Sequence, residues 1–198
     1  MAEWRLFDEG TVPECTTAEW YLDRERAPHL EQAVHQPRLQ VSATVAAQIV
    51  QAKGLRTLCD LGAGDGGLLS VLASGPVKLW GYDLSPEAVK GAEERGVDVR
   101  LADVVADLET LELGDICIAT EFLEHLLDPH GFLARLAAAG PQWLVASSPW
   151  VETGDDHYEF HTWAWDQAGY ATLLAGSGWV PAAMQLVGPF QVWLAGRR

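Results

Sequence analysis

No run of apolar residues in the 198-residue sequence is long enough to span a bilayer, although 48% of the residues are hydrophobic. Residues 1–5 lack the basic start and the apolar core of a secretion signal. Cysteine is rare, and two of the three cysteines, Cys59 and Cys117, fall in predicted buried strands. These absences predict a soluble, reduced, cytoplasmic protein with no membrane partner.

Basic residues are also scarce: 13 lysines and arginines stand against 28 aspartates and glutamates, a formal net charge of −15. Proteins that bind long nucleic-acid tracks gain most of their affinity by neutralising phosphates with basic side chains. The acidic balance therefore disfavours extended nucleic acid as a partner. It leaves open a small-molecule substrate or a phosphate bridged by a metal, and it does not define the oligomeric state.

The most informative stretch runs from residue 58 to residue 69 and reads LCDLGAGDGGLL. It predicts a short buried strand, a turn of closely spaced glycines and the start of a helix. Glycines adopt backbone angles closed to other residues and leave room for a ligand near the backbone. Such a unit forms a ligand cradle at the carboxyl end of a parallel strand, where the amino end of the helix faces the ligand.

Two cofactors fit this cradle. As Gly62-x-Gly64-x-x-Gly67, the turn matches the dinucleotide-binding fingerprint. As Asp60-x-Gly62-x-Gly64-x-Gly66, it resembles motif I of the class I methyltransferases that use S-adenosylmethionine (SAM). Asp60 favours the second interpretation, because a carboxylate suits a cofactor that carries an ammonium group and would repel a pyrophosphate.

The order of the predicted elements favours the same interpretation. Strands alternate with helices and are predicted at 55–61, 77–83, 97–101, 115–119 and 143–147. Two more strand-like runs, 179–187 and 190–195, form a closing hairpin that resembles the antiparallel last strand of class I methyltransferases. A dehydrogenase would need a further substrate domain. The expected fold is therefore α/β and Rossmann-like, with a seven-stranded, mostly parallel sheet and helices on both faces.

Before the first sheet strand, the sequence predicts a loose arm over residues 1–15, a helix from about Thr17 to residue 27, and a helix over 38–53. We expect two units: an amino-terminal arm and lid helix at 1–36, and a SAM-binding methyltransferase domain at 37–198. In the segment from Trp20 to His35, the aromatic and histidine side chains either touch substrate or form one face of an amphipathic helix.

The resemblance assigns the cofactor contacts. Asp83 ends the second sheet strand, where a carboxylate can accept both hydroxyls of a ribose, and Asp103 with a neighbouring backbone amide reads the adenine edge. The residues expected to bind SAM are Asp60, Gly62, Ala63, Gly64, Asp83, Leu84, Asp103, Val104 and Glu121.

A second group of polar residues follows the fourth sheet strand. On a helical turn, Glu121, Glu124 and His125 share one face, which suits a divalent metal such as Mg²⁺ or Mn²⁺, or an acid/base pair. The pattern resembles the metal site of the small-RNA 3′-terminal ribose 2′-O-methyltransferases. Asp156-His157 and Thr162 match the remainder of that motif loosely, which would make His157 the fourth ligand.

The same residues also have a metal-free interpretation. Glu-His followed by Asp128-Pro129 is common in methyltransferases of small molecules, where the glutamate lines the SAM pocket and the histidine faces substrate. We therefore rank three hypotheses. The first is a small-molecule methyltransferase with His125 or His157 as general base, the second a metal-dependent RNA ribose methyltransferase, and the third a SAM-binding regulator without turnover. The first predicts a pocket walled by aromatic side chains from Trp20, Tyr21, Trp150, Tyr158, Phe160 or Trp163.

Overall fold

A seven-stranded sheet forms the centre of the computed structural model, which describes residues 2–23 and 28–198. The strands along the chain are β1 (Glu3–Arg5), β2 (Thr57–Leu61), β3 (Lys78–Asp83), β4 (Val99–Leu101), β5 (Ile116–Thr120), β6 (Trp143–Pro149), β7 (Trp163–Trp165), β8 (Trp179–Val187) and β9 (Phe190–Arg197). The order across the sheet is β4-β3-β2-β5-β6-β9-β8. Strands β2 to β6 pair in parallel, whereas β9 runs antiparallel to both β6 and β8. The predicted Rossmann-like sheet with an antiparallel last strand is confirmed.

Six helices are described: α1 (Ala18–Leu22), α2 (Gln36–Lys53), α3 (Gly67–Leu72), α4 (Pro86–Arg95), α5 (Pro129–Ala139) and α6 (Gln167–Gly176). Local side chains fix where several of them begin. Ser85, Asp128 and Asp166 each accept a hydrogen bond from a backbone N–H in the first turn of the helix that follows. These caps place the helix amino ends at the same edge of the sheet as the carboxyl ends of the parallel strands.

Helices cover both faces of the sheet because successive strand residues point to opposite sides. On one face, Cys59 and Leu61 of β2 pack with Phe132 of α5 and Tyr170 of α6. On the other face, Leu58 joins a cluster with residues of α2, α3 and α4. The resulting three-layer core leaves the carboxyl edge of the sheet to polar residues and loops.

The amino-terminal arm is better ordered than predicted. Strand β1 pairs antiparallel with β7, and the Trp165 indole Nε1 donates to Glu3 Oε2 at 2.7 Å. The prediction of a loose arm was wrong because a three-residue strand has no local signal and its partner strand β7 was not recognised. Helix α1 begins after Thr17 as expected, but it ends at Leu22 with Asp23 as its C-cap, short of the predicted end at residue 27. The rest of that prediction, residues 24–27, lies outside the described part of the chain.

Among the residues that the structure describes, no helix combines the length and apolar character needed to cross a membrane.

Candidate active site

A cavity of about 1130 Å³ lies at the carboxyl edge of the parallel strands, as expected for this sheet topology. It is bounded by the glycine turn after β2, by the loops that follow β3, β4, β5 and β6, and by residues between positions 12 and 39. All nine residues predicted to bind the cofactor line it: Asp60, Gly62, Ala63, Gly64, Asp83, Leu84, Asp103, Val104 and Glu121. The structure therefore brings them together, while their contacts with a cofactor stay a prediction.

The glycine turn depends on backbone angles that favour glycine. Gly62 has φ +73°, and a Cβ there would stand 2.5 Å from the Phe122 ring. The N–H groups of Gly62 and Ala63 both donate to the carbonyl oxygen of Tyr82 at 2.9 Å, which fixes the turn against β3. At Gly64, with φ +55°, a Cβ would meet open space on the cavity side.

Backbone N–H groups hold the carboxylates beside this turn. Asp83 Oδ2 accepts from Gly64 N, and Oδ1 accepts from Ser85 N, both at 2.8 Å. Asp103 Oδ1 accepts from Val105 N at 3.0 Å and Ala106 N at 2.9 Å. Each carboxylate oxygen has further lone pairs, so both groups can accept additional hydrogen bonds from a ligand in the cavity.

Asp60 is a buried carboxyl on the wall of the cavity. It is 2% exposed, and Oδ1 has no hydrogen-bond partner among the described residues. Burial raises its pKa to about 8; Arg38 opposes the rise and Asp83 adds to it. Because a buried polar atom without a partner is costly, this oxygen is suited to a cationic ligand group.

Glu121 follows β5 in an unusual backbone conformation, with φ +52° in the left-handed region. Its Oε1 accepts from Ser147 Oγ at 2.9 Å, and Arg38 Nε lies 3.9 Å from the same oxygen. Burial raises the pKa of Glu121, while Arg38 and the Ser147 hydroxyl act to lower it. The side chain is thus directed towards β6 and α2.

Glu124 lies in a 3-10 helix, Leu123–His125, and is 1% exposed. Neither of its carboxylate oxygens has a hydrogen-bond partner among the described residues. Burial, and secondly the nearby Glu121, raise the pKa of Glu124 well above its ordinary value. Burial therefore favours the neutral acid, and a bound cation would favour its ionised form.

Two histidines lie beside Glu124. The ring centroids of His125 and His161 are 4.7 Å apart, and one potential ligand atom from each of Glu124, His125 and His161 lies within 4.8 Å of the others. His125 Nδ1 is 3.1 Å from the carbonyl oxygen of Phe160, and His161 Nδ1 is 2.6 Å from Glu152 Oε2. Carbonyl and ionised carboxylate oxygens only accept hydrogen bonds. Both rings therefore carry the proton on Nδ1, which leaves Nε2 as the basic nitrogen.

The predicted metal-ligand set, Glu121, Glu124, His125 and His157, needs correction at two positions. His157 is exposed, and its Nδ1 faces the Thr153 carbonyl oxygen at 3.2 Å, apart from the Glu124 group. Glu121 also lies outside that group, because its carboxylate is engaged by Ser147. The residue that joins Glu124 and His125 is His161, so His157 is also displaced as a candidate general base.

The contacts of Thr162 explain why His161, and not His157, lies beside Glu124. The Thr162 hydroxyl lies 2.9 Å from the Glu124 carbonyl oxygen and 2.8 Å from that of Leu126, and its N–H donates to Glu124 O at 2.7 Å. These contacts bind the loop to the 3-10 helix and place the preceding residue, His161, beside Glu124. The Thr162 anchor was part of the sequence pattern, but the histidine was assigned four positions too early. Glu152, which orients His161, carried no recognisable signal.

The cover of the cavity confirms part of the expected aromatic wall. Tyr21 and Tyr158 line the cavity, as do the stacked rings of His29 and His35, whose centroids are 4.2 Å apart. Trp20 instead packs on Phe160, with ring centroids 5.2 Å apart. Trp163 belongs to the core, and the Trp150 indole donates to the Gly188 carbonyl oxygen.

Comparison with known proteins identifies the family. The model of the family described as "Methyltransferase domain" matches residues 24–174, more than half of the chain. No curated protein matches the sequence significantly. The chain therefore belongs to this methyltransferase domain family, and its fold is that of the class I SAM-dependent methyltransferases.

Solved structures share the fold at low sequence identity. Magnesium protoporphyrin IX methyltransferase from Synechocystis PCC 6803 with bound SAM is 16% identical, with a TM-score of 0.68 over 96% of this chain and 100% of that one. The methyltransferase domain of bacterial CtHen1-C is 18% identical, with a TM-score of 0.65 over 83% and 98%. Burkholderia thailandensis 1,6-didemethyltoxoflavin-N1-methyltransferase is 19% identical, with a TM-score of 0.60 over 88% and 92%.

Proposed function

We propose that this methyltransferase uses SAM to methylate a hydroxyl group of a small-molecule acceptor, with His161 as the general base. The observation that carries the proposal is the hydrogen bond between His161 Nδ1 and Glu152 Oε2, 2.6 Å long, on the wall of the cavity that also contains the predicted cofactor residues. Solved methyltransferases of similar fold act on small molecules according to their names, which supports the acceptor class.

The cavity residues fit SAM on grounds of charge and hydrogen bonding. The unpartnered oxygen of Asp60 suits the ammonium group, and Asp83 can accept the ribose hydroxyls through its remaining lone pairs. Asp103 and Val104 line the same cavity and are the residues expected to bind the adenine edge, and the open space at Gly64 would let a ligand approach the backbone. When bound, SAM supplies an activated methyl group and its own leaving group. The protein then has to orient the acceptor and accept its proton.

His161 and Glu152 form a base with an orienting partner. Since Nδ1 donates to the carboxylate, the lone pair of the neutral ring is on Nε2, the nitrogen that can take the proton of an acceptor hydroxyl. Glu152 then stabilises the imidazolium that results. The second histidine, His125, is held by the Phe160 carbonyl oxygen and can bind the acceptor beside His161.

The test is a transfer assay with methyl-labelled SAM and a panel of small phenols, aliphatic alcohols, diols and amines. We expect label on hydroxyl acceptors, and a loss of kcat of about 10²- to 10⁴-fold in His161→Ala, the typical contribution of a general base. The matched control is His157→Ala, an exposed histidine of the same loop, which should retain activity. Equal activity of His161→Ala and wild type would refute the role of His161. SAM binding without transfer to any acceptor would instead favour the regulator hypothesis.

A second candidate function, metal-assisted methylation of a vicinal diol such as an RNA 3′-terminal ribose, is favoured by the Glu124, His125 and His161 group. These side chains offer one carboxylate oxygen and two imidazole nitrogens, a donor set that suits a divalent transition metal. In that case His161 would be a ligand and not the base.

Calorimetric titration of Mn²⁺ in the presence of S-adenosylhomocysteine (SAH) separates the two candidates. Metal binding that is lost in both Glu124→Gln and His161→Ala, but retained in His157→Ala, would establish the metal-assisted alternative. If wild type binds no Mn²⁺, the metal-free base remains.

A further inference from the structure

Exposed apolar side chains are concentrated around the cavity. Among the described residues, eleven large apolar side chains are exposed, and six of them line the cavity, although only 45 of the 198 residues do so. Single exposed apolar residues are normal, whereas a group of them at one site marks a binding surface. These six residues form an apolar rim: Val12, Val34, Val105, Leu127, Val151 and Tyr158.

Two members of the rim belong to the loop that carries the proposed base. Val151 is 50% exposed and directly precedes Glu152, and Tyr158, 46% exposed, lies three positions before His161. One carboxylate fixes this arrangement, because Glu152 Oε1 accepts from Tyr158 N at 3.3 Å while its Oε2 accepts from His161 Nδ1 at 2.6 Å. The residue that orients the base therefore also holds Tyr158 beside it.

A series of ring contacts leads from the base to helix α1. The Tyr158 ring centroid is 5.2 Å from that of His161 and 5.3 Å from that of Phe160, and both contacts are edge-to-face. Phe160 packs in turn on Trp20, and Trp20 on Tyr21, with centroids 5.2 and 4.9 Å apart. Tyr158 and Tyr21 both line the cavity. A planar aromatic ligand gains more from such a surface than an aliphatic ligand of the same size.

The charge of the lining argues against an anionic acceptor. Among the described residues that line the cavity, eight are aspartates or glutamates and two are arginines. A carboxylate or phosphate on the acceptor would meet this excess of acidic groups.

The proposed base favours one kind of hydroxyl. A phenol is about as acidic as the side chain of tyrosine, whose pKa is about 10. The imidazole of His161 therefore removes the proton of a phenol more readily than that of an aliphatic alcohol.

We propose that the acceptor is an uncharged phenol with an apolar substituent, whose ring packs on Tyr158 and whose substituent lies over Val151. The inference rests on the proposed methyl transfer to a hydroxyl group and narrows its acceptor. The phenolic hydroxyl is then placed at His161 Nε2, since Glu152 holds Tyr158 and His161 side by side. The substituent removes part of the rim from water, which favours binding.

Calorimetric titration of SAH-saturated protein with para-alkylphenols tests the inference through binding alone. From para-methylphenol to para-butylphenol, we expect the affinity to rise about two- to fourfold for each methylene that the rim buries. Phenol should bind more tightly than cyclohexanol, an alcohol of similar size without an aromatic ring. Para-hydroxybenzamide should bind more tightly than para-hydroxybenzoate, which has nearly the same shape but carries a negative charge.

Variants of the two loop residues connect these preferences to the rim. Tyr158→Ala and Val151→Ser should each weaken the binding of para-butylphenol about three- to thirtyfold, whereas Tyr158→Phe, which keeps the ring, should bind it like wild type. Met184→Ser removes an exposed apolar side chain of β8 that does not line the cavity, and is the matched control. Unchanged SAH affinity shows that the variants are folded.

The inference is overturned if affinity does not rise with the length of the alkyl chain, if cyclohexanol binds as well as phenol, or if para-hydroxybenzoate binds better than the amide. It is also overturned if Tyr158→Ala and Val151→Ser behave like Met184→Ser. A wild-type dimer in sedimentation that Val151→Ser abolishes would assign the rim to a second copy of the chain instead.

Failure of the proposed function gives a different result. In that case no label from methyl-labelled SAM reaches any phenol that binds, while the binding series and the responses of the variants stay as expected. The apolar subsite would then stand without the proposed methyl transfer.

Discussion

The two ends of the cavity are built from different kinds of interaction. At the cofactor end, formed by the glycine turn with Asp83 and Asp103, carboxylate oxygens accept hydrogen bonds from backbone N–H groups. At the acceptor end, Arg38 and Glu124 are buried with side-chain atoms that lack described partners. The hydrogen bonds of the first end are therefore largely supplied by its own fold, whereas the second end buries a guanidinium and a carboxyl group whose hydrogen bonds a ligand can complete.

The two ends also differ in how the chain assembles them. The turn of the cofactor end is one segment, residues 60–67, read directly from a strand–turn–helix pattern. The acceptor end combines α2, the 3-10 helix after β5 and the loop between β6 and β7. Local patterns can define the first but not the second. We therefore expect variants at the cofactor end to change the affinity for the cofactor, and variants at the acceptor end to change kcat.

The largest effect is expected for Asp83→Ala at the cofactor end. The change removes a carboxylate that holds the Gly64 and Ser85 N–H groups and is predicted to bind the ribose. Charge-assisted hydrogen bonds contribute about 1.5–3 kcal/mol each, so we expect SAH affinity to fall by about 10²- to 10⁴-fold. Glu87→Ala, which removes an exposed carboxylate on α4, is the calorimetric control. Unaltered SAH affinity in Asp83→Ala would contradict the ribose assignment.

A smaller effect is expected for Thr162→Val at the acceptor end, where turnover and stability should change instead of cofactor affinity. The hydroxyl that holds the Glu124 and Leu126 carbonyl oxygens is lost from a buried position, which should lower the free energy of unfolding by about 1–3 kcal/mol. Because His161 loses its anchor, kcat should fall while SAH affinity stays the same. Thr172→Val, on the exposed side of α6, gives the matched comparison in denaturant unfolding and in the transfer assay. A fall in SAH affinity with unchanged kcat would reverse the distinction between the two ends.

The fold was predictable from sequence to a greater extent than the acceptor end. Sheet strands and caps such as Ser85 and Asp166 follow from hydrophobic patterns and short-range hydrogen bonds, and the structure confirms them. The sequence did not predict that His161, and not His157, lies beside Glu124. That placement depends on contacts of Thr162 with residues 36 and 38 positions away in the chain. Arg38 gave no signal either, since an arginine in a helix is ordinarily solvated.

The smallest effect concerns Asp60, the first residue of the segment that forms the cofactor end. Its pKa rises from 3.8 to about 8 on folding. Between these values the folded protein holds a proton that the unfolded chain has lost, so the free energy of unfolding should decrease as pH rises through this window. The slope has an upper limit of about 1.4 kcal/mol per pH unit for one proton.

Denaturant unfolding of the ligand-free protein at pH 5, 6 and 7 measures the contribution of Asp60 to the pH dependence of the free energy of unfolding. Wild type should show this contribution, and Asp60→Asn should lack it. Parallel pH profiles would show that Asp60 is ionised in the folded protein. The proposed ammonium contact adds a second readout: SAH binding at pH 7 should release a proton in wild type but not in Asp60→Asn.

The pairing of β1 with β7 has a consequence for the order in which the molecule acquires its structure. Glu3 and Trp165 are joined across 162 positions of sequence, so their contact cannot form before the intervening chain has been made. Closing so long a loop is entropically costly, and a three-residue ladder offsets little of that cost on its own. We expect the arm to dock late, on a domain that is already folded. The residues that follow it, including Val12, Thr16 and Thr17, line the cavity, so the final stage of folding is also the stage at which the cavity gains its cover.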